Sequence, residues 1–187
     1  GNGEMMKVII ETLKNFPECF NNCNFQIHEK SELLKKKQQL NLKSEKITWI
    51  KDIKINNSFP TIFLANEFFD SLAIKQFKKR KNQWFERYVN FQNKKKSFFY
   101  EKKINIKKIE KKIRFKISHN QNFIEYSEVG LNYLKDVSKV IKKNKGGLLL
   151  IDYGYSDKKM KNTLKAISNH KFANIFDNIG DADITHN

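Results

Sequence analysis

Arginine is scarce in this basic chain. The 187 residues carry a formal net charge of +17 at pH 7, yet only Arg80, Arg87 and Arg114 are arginines, so lysine supplies almost all the positive charge. A basic excess draws polyanions at long range. Recognition of phosphates and base edges, however, leans on the planar fork of arginine, and lysine mixed with abundant Asn, Ile and Phe reads first as solvated surface. A basic nucleic-acid-binding module, suggested by Phe and Tyr among the lysines between Phe91 and Tyr100, therefore ranks as an alternative, and no specific nucleic acid is expected as partner. Cysteine is limited to Cys19 and Cys23, with His28, His119, His170 and His186 far from them. No structural zinc spacing results, and no metal is expected. No apolar run reaches the ~18 residues of a membrane span and no charged-then-apolar leader opens the chain, so membrane insertion is not expected and a reducing, soluble compartment fits.

A hydrophobic content of 39%, with 13% aromatics, is enough for one core of ordinary size. The expectation is a single domain over residues 1–187. The chain opens on Gly1-Asn2-Gly3 and stops at Asp183-Ile184-Thr185-His186-Asn187, and both ends are expected to be cut from a longer fold.

Along the chain, Met5, Met6, Ile9, Ile10 and Leu13 recur at helical spacing up to Pro17, so a glycine turn opens a helix. Phe25 to Glu29 alternates as a strand, and Ser31 stands where a helix N-cap would, ahead of Leu33, Leu34 and Leu40. Ile47-Thr48-Trp49-Ile50 is a third extended piece. Thr61 to Ala65, after Pro60, is a continuous apolar run of the kind buried on both faces of a parallel sheet. From Ala73 to about Phe123 the pattern changes to charge-flanked alternation, as in Trp84 to Val89 and Ile113 to Ile117, which predicts antiparallel strands inserted in the fold. The lysine tract Lys94–Lys112 reads as an exposed hairpin or loop. A helix is expected from about Ser127 to Lys143, ended by Gly146-Gly147, and Leu148 to Asp152 is a second buried strand tipped by a carboxylate. Strands alternating with helices place the chain among doubly wound, mostly parallel α/β folds.

In such sheets ligands bind at the carboxyl ends of the strands. Gly1 and Gly3 form a turn where backbone can approach a ligand at a helix N-terminus. Glu29 tips the next strand, 26 positions after Gly3, a little farther than the ~20 usual for a ribose-binding acid. Asp52 follows the third extended piece, and Asn66, Glu67 and Asp70 follow the central run. Each acid could equally cap a helix, and Asp152-Tyr153-Gly154-Tyr155 could be a turn. Met6 stands where a dinucleotide fingerprint has its third glycine, and no phosphate-loop lysine and serine are present. The pattern therefore favours S-adenosylmethionine over a dinucleotide or a triphosphate.

These residues also resemble a known family. Ala65-Asn66-Glu67-Phe68-Phe69-Asp70-Ser71-Leu72, followed by Gln76-Phe77 and Trp84-x-Glu86-Arg87, is similar to the N-E-F-F-D-A-L-P signature and its hairpin in the MidA-like family of complex I assembly-factor methyltransferases. Gly147 to Tyr155 resembles that family's G-G-x-x-L-I-D-Y-G-Y. Thr163-Leu164, His170-Lys171 and Gly180 to Thr185 resemble its D-T-L-Q-A, H-K and G-x-A-D-L-T stations in the same order. Gly1 to Met6 is similar to the end of G-P-G-x-G-T-L-M, and His28-Glu29-Lys30-Ser31 with Leu33 and Gln38 to V-E-x-S-x-x-L-x-x-x-Q. Ala73 and Asn162 depart from the family's proline and aspartate. The resemblance implies a Rossmann-like class I methyltransferase fold, here a fragment lacking the first strand, with an inserted hairpin region at 73–123. It implies methyl transfer from S-adenosylmethionine to an arginine of a protein such as a complex I subunit, in the bacterial cytoplasm or the mitochondrial matrix. Gly1, Gly3, Glu29, Asp52 and Asn66 are the expected cofactor contacts, Glu67, Asp70 and Asn66 the expected catalytic residues, and Phe68, Asp152 and Tyr153 the expected substrate side. A relative that binds a partner without catalysis is the other alternative.

Overall fold

The computed structural model describes residues 1–43, 46–53, 58–92, 97–177 and 179–187. The chain, expected from its length to form one domain, divides into two compact units, Gly1–Asn56 and Asn57–Asn187.

The first unit holds α1 (Glu4–Leu13), α2 (Pro17–Asn22), β1 (Phe25–His28), α3 (Glu32–Asn41) and β2 (Ile47–Ile50). Gly3 is the N-cap of α1 at φ 94°, a left-handed conformation that only glycine adopts cheaply. A Cβ there would also come 2.8 Å from Leu42 Cδ1. Pro17 does more than stop α1: it starts α2, where its missing N–H costs no helical bond. Ser31 caps α3 as expected, its Oγ accepting from the Leu34 N–H at 3.3 Å. β1 and β2 pair in parallel, Phe25 opposite Ile47 through His28 opposite Ile50. Buried Ile10, Phe25, Leu42 and Ile47 form the core of this unit.

The second unit begins with β3 (Thr61–Asn66), which pairs in parallel with the much later β8 (Gly146–Ile151). Between them lies an antiparallel sheet of β4 (Lys75–Arg80), β5 (Gln83–Phe91), β6 (Ser97–Ile104) and β7 (Phe123–Tyr126), in the order β6-β5-β4-β7. Helix α4 (Ile106–Ile113) leads from β6 toward β7, and α5 (Glu128–Asn144) leads to β8. Ser127 Oγ caps α5 through the Gly130 N–H at 2.9 Å. Finally β9 (Lys165–Ser168), β10 (Lys171–Ala173) and β11 (Asp183–Thr185) make a small antiparallel sheet in the order β10-β9-β11. Phe77, Trp84 and Ile124 are the buried centre, with Ile106 and Ile109 of α4 packed against them.

Three expectations change. The tract Lys94–Lys112, expected as an exposed hairpin or loop, has a hairpin strand paired with β5 at Ser97–Ile104, but Ile106–Ile113 is a helix whose Ile106 and Ile109 face the core while its lysines stay wet. Lys94–Lys96 lie outside the described residues. Ile113–Ile117 is not a strand, because Ile113 ends α4 and Arg114 takes a left-handed cap at φ 56°. Within its own unit the run Thr61–Ala65 is covered on one face. Within this unit α5 packs on the β3–β8 pair, while Ile62, Leu64, Leu149 and Ile151, which share the other face, are exposed. The parallel strands among the described residues pair as β1–β2 in the first unit and β3–β8 in the second, within a mixed α/β arrangement. A smaller shift concerns the end of α5: Lys145 is its C-cap, and Gly146 already belongs to β8, where a Cβ would collide with the Thr61 carbonyl.

Candidate active site

β3 and β8 run parallel and in register, so Asn66 and Ile151 end the pair side by side. The Glu67 N–H donates to the Ile151 carbonyl at 2.9 Å, and Glu67 itself sits at φ 48°. That left-handed backbone is uncommon for a residue with a side chain and is found where surrounding contacts over-determine it. The contacts here come from Asp152. Its Oδ2 accepts the N–H groups of Phe69 at 3.0 Å and Asp70 at 3.2 Å, and its Oδ1 accepts the N–H of Tyr153 at 2.9 Å. One carboxylate therefore folds both loops that leave the parallel pair. Phe68 meets Phe69 and Tyr133 of α5 edge-on, with ring centroids 5.2 and 5.1 Å apart, which anchors the first loop from below. The next regular element after Glu67 and Asp70 is β4, so neither acid caps a helix.

Glu67, Asp70 and Asp152 are thus gathered at one strand end. Burial raises the pKa of Asp70, and the charges of Asp152 and Glu67 raise it further, while a hydrogen bond from Thr185 and the nearby His186 act in the opposite direction. Thr185 Oγ1 donates to Asp70 Oδ2 at 2.9 Å. The Tyr153 phenol is held above its ordinary pKa, first by the charge of Glu67 and then by a hydrogen bond to that carboxylate. Sequence reasoning named Glu67, Asp70, Asp152 and Tyr153, and the structure brings these four together. It missed Thr185 and His186 as site neighbours, although Thr185 closes the G-x-A-D-L-T-like station and His186 follows it. Cavities of about 320 and about 490 Å³ lie elsewhere in this unit, one beside Phe99 and Phe172, the other beside Trp84 and Ile106, and no carboxylate of this site lines either.

The remaining candidates belong to the first unit. Gln38, only 3% exposed, donates through Nε2 to the Gly1 carbonyl at 2.9 Å and to Glu29 Oε2 at 3.0 Å. Its Oε1 accepts from Trp49 Nε1 at 2.8 Å, which fixes the amide. Glu29 Oε1 accepts the Ser31 N–H at 2.8 Å. The glycine turn and the acid at the end of β1 are therefore tied together by one amide. Asp52, two residues past β2, is exposed and is not drawn into this network.

These groups suit S-adenosylmethionine. Two of the roughly four lone-pair sites of the Glu29 carboxylate are used internally, which leaves acceptors for ribose hydroxyls. Gly3 gives α1 no side-chain cap, so N–H groups of its first turn remain for a carboxylate. No Cβ is in the way at Gly1, where an added one would meet nothing within 4 Å.

In open α/β folds ligands bind at the carboxyl ends of parallel strands, and each unit places its candidate groups there, the glycine turn and Glu29 in the first, Glu67, Asp70 and Asp152 in the second. Residues 1–187 match the family described as S-adenosyl-L-methionine-dependent methyltransferases, and the chain belongs to that family, with S-adenosylmethionine as its cofactor. It is 31% identical over 142 residues to the Caenorhabditis elegans protein named Protein arginine methyltransferase NDUFAF7 homolog, mitochondrial, across 74% of this chain and 33% of the relative. It is 22% identical to the human Protein arginine methyltransferase NDUFAF7, mitochondrial, across 99% of this chain and 47% of the relative. The chain thus spans a third to a half of the length of these relatives. A crystal structure from Burkholderia thailandensis bound to S-adenosyl-homocysteine shares its fold, with a TM-score of 0.76 at 15% identity, over 100% of this chain and 50% of that one. A second structure from the same organism gives 0.69 at 16% identity, over 87% and 46%.

Proposed function

We propose that the protein transfers a methyl group to an arginine side chain of another protein, with a respiratory complex I subunit as the acceptor class the family resemblance suggests, in the mitochondrial matrix or the bacterial cytoplasm. The observation that carries this reading is the gathering of Glu67, Asp70 and Asp152 at the carboxyl end of the β3–β8 pair. Both named relatives are called arginine methyltransferases, which supports the same substrate.

When bound, S-adenosylmethionine supplies a methyl group on a sulfonium, so the protein's own task is alignment and exclusion of water. The acceptor is a cation with five N–H donors, which carboxylates grip and orient. Asp152 is committed to backbone amides, which leaves Glu67 and Asp70 to hold the guanidinium. A new N–C bond forms as the C–S bond breaks, and the attacking nitrogen releases one proton. Asp70 is suited to receive it, because burial and the neighbouring charges of Asp152 and Glu67 raise its pKa and with it its affinity for a proton. The full chain, incubated with radiolabelled S-adenosylmethionine and an arginine-containing acceptor protein, should yield labelled methylarginine on acid hydrolysis. Label recovered only in lysine or in a small molecule would overturn the arginine assignment.

A further inference from the structure

We propose that Thr185 is a positioning residue for the Asp70 carboxylate, and that the end of β11 works as a clamp holding the acidic loop after β3. Three contacts from two consecutive residues converge on that loop. Thr185 Oγ1 donates to Asp70 Oδ2 at 2.9 Å, the His186 N–H donates to the Asp70 carbonyl at 3.2 Å, and His186 Nε2 lies 2.8 Å from the Leu72 carbonyl, a contact that requires the proton on Nε2. The clamp is anchored behind. The Asn187 N–H donates to Thr163 Oγ1 at 2.8 Å, and Thr163 donates in turn to buried Glu125, through its N–H to Oε2 at 3.1 Å and its hydroxyl to Oε1 at 3.2 Å. Glu125 is 6% exposed, on β7 of the antiparallel sheet. A chain of hydrogen bonds thus runs from the rigid sheet through Thr163 and Asn187 to the segment that presents Thr185 to Asp70.

The consequence is chemical as well as geometric. Asp70 faces the like charges of Asp152 and Glu67, with the Tyr153 phenol and the His186 ring also near. Like charges and burial favour the protonated acid, whereas a hydroxyl donor favours the carboxylate. Thr185 therefore opposes the upward shift of Asp70 by favouring its carboxylate form, and fixes which of its oxygens is occupied. Among the described residues no donor is placed on the other oxygen, Oδ1. The inference rests on the reading of Asp70 as the proton-accepting member of the site.

The test compares Thr185→Val, which keeps the shape and removes the hydroxyl, with Thr185→Ser, which keeps the hydroxyl. In the full chain the acid limb of the pH–rate profile for methyl transfer should move up by about one pH unit in the valine variant, with kcat falling more than KM rises, and should return in the serine variant. Carbon-detected NMR titration of the Asp70 carboxyl should show the same displacement whether or not any acceptor is methylated, which separates this inference from the assignment of activity. In the wild-type chain the Thr185 side-chain resonances should titrate in step with the Asp70 carboxyl, a measurement that does not depend on the valine variant folding. Flat Thr185 resonances, or an Asp70 midpoint unmoved in Thr185→Val, would overturn the proposal.

Discussion

Asp152 Oδ2 stands 3.0 Å from the amide nitrogen of Phe69, a contact that joins residues 83 positions apart. The same oxygen takes the Asp70 amide, and the other oxygen takes that of Tyr153. Asp152→Asn retains one acceptor oxygen and puts an amide NH₂ in place of the other, so a backbone N–H must face a donor. Losing a charge-assisted hydrogen bond of this kind costs about 1.5–3 kcal/mol. Urea denaturation should show the midpoint fall with little change in slope. An unchanged midpoint would mean that the loops keep their shape without Asp152.

Glu29 is the corresponding test for the cofactor. Glu29→Ala removes the acceptor expected to hold the ribose hydroxyls, and with it the partner of Gln38 Nε2 and of the Ser31 N–H. The loss of a charged hydrogen bond predicts S-adenosylmethionine binding weakened by roughly tenfold to a hundredfold. Calorimetry on the full chain reads this directly. Gln38→Leu serves as the control for indirect effects, because it loosens Glu29 while leaving its charge, and it should weaken binding less than the alanine variant does.

Much of this arrangement was legible in the sequence because it is written in local chemistry. Ser31 and Ser127 mark helix starts, Pro17 and Pro60 mark boundaries, and the apolar runs of β3 and β8 each end in polar residues that form the site. What was not legible depends on contacts made at long range. Ile113–Ile117 alternates as a strand does, yet Ile106, Ile109 and Ile117 pack on Phe77 and Trp84, and that packing decides for a helix ended at Arg114. The strands β9 to β11 have three or four residues each, too few for a period to show. Their Asn169-His170 turn, with φ 50° and 59°, lacks the Asn-Gly pair that usually announces such a hairpin, and so does Lys81-Asn82. Thr185 could be recognised as a neighbour of Asp70 only once the chain was folded, since 115 residues separate them.

The charge of the chain leads to a negative expectation for nucleic acid. Its lysines include several already engaged with acids, such as Lys112 with Glu128 at 2.7 Å and Lys75 with Glu86 at 3.5 Å. Binding to random duplex DNA should be weak at physiological salt, with a dissociation constant of about 10⁻⁴–10⁻⁶ M and a steep dependence on salt. Fluorescence anisotropy across a salt series checks this. Tight binding that persists at high salt would favour the nucleic-acid module over the methyltransferase reading of the surface.

Asp70 should also show a conflict between stability and function. Its pKa in the folded protein is raised above that of the unfolded chain, chiefly by burial. A raised carboxyl pKa means that the native state prefers the protonated form, so this contribution to stability is fully present below the unfolded pKa and is lost as pH rises through the folded pKa. Asp70→Asn removes the titration while keeping an oxygen that can accept from Thr185. The stability of the variant relative to wild type should therefore grow as pH rises from the ordinary carboxylate range to neutrality, even as methyl transfer is lost. Denaturation curves at acidic and neutral pH decide it, and a difference that does not vary with pH would show that Asp70 titrates normally.

Glu67 offers the sharpest separation of cofactor binding from chemistry. Its backbone is held at φ 48° by the Ile151 carbonyl, and its carboxylate meets the Tyr153 phenol, so the side chain is positioned by the protein before any substrate arrives. Glu67→Gln preserves size and hydrogen-bonding capacity but removes the charge that orients a permanently cationic guanidinium. Binding of S-adenosylmethionine should barely change, because the residues proposed for its amino-acid tail and ribose are Gly1, Gly3 and Glu29. Methyl transfer to an arginine-bearing protein should fall by about tenfold or more, since each 1.4 kcal/mol is a factor of ten in rate and a charge-assisted hydrogen bond is worth about 1.5–3 kcal/mol. A readout independent of activity comes from Tyr153. With the negative charge gone its phenol pKa should move down toward the ordinary tyrosine value, visible in a carbon-detected titration of the ring. A variant that lowers the Tyr153 pKa yet methylates arginine at the wild-type rate would leave Glu67 in the site but remove it from the grip on the substrate, and Asp70 would then have to orient the guanidinium alone.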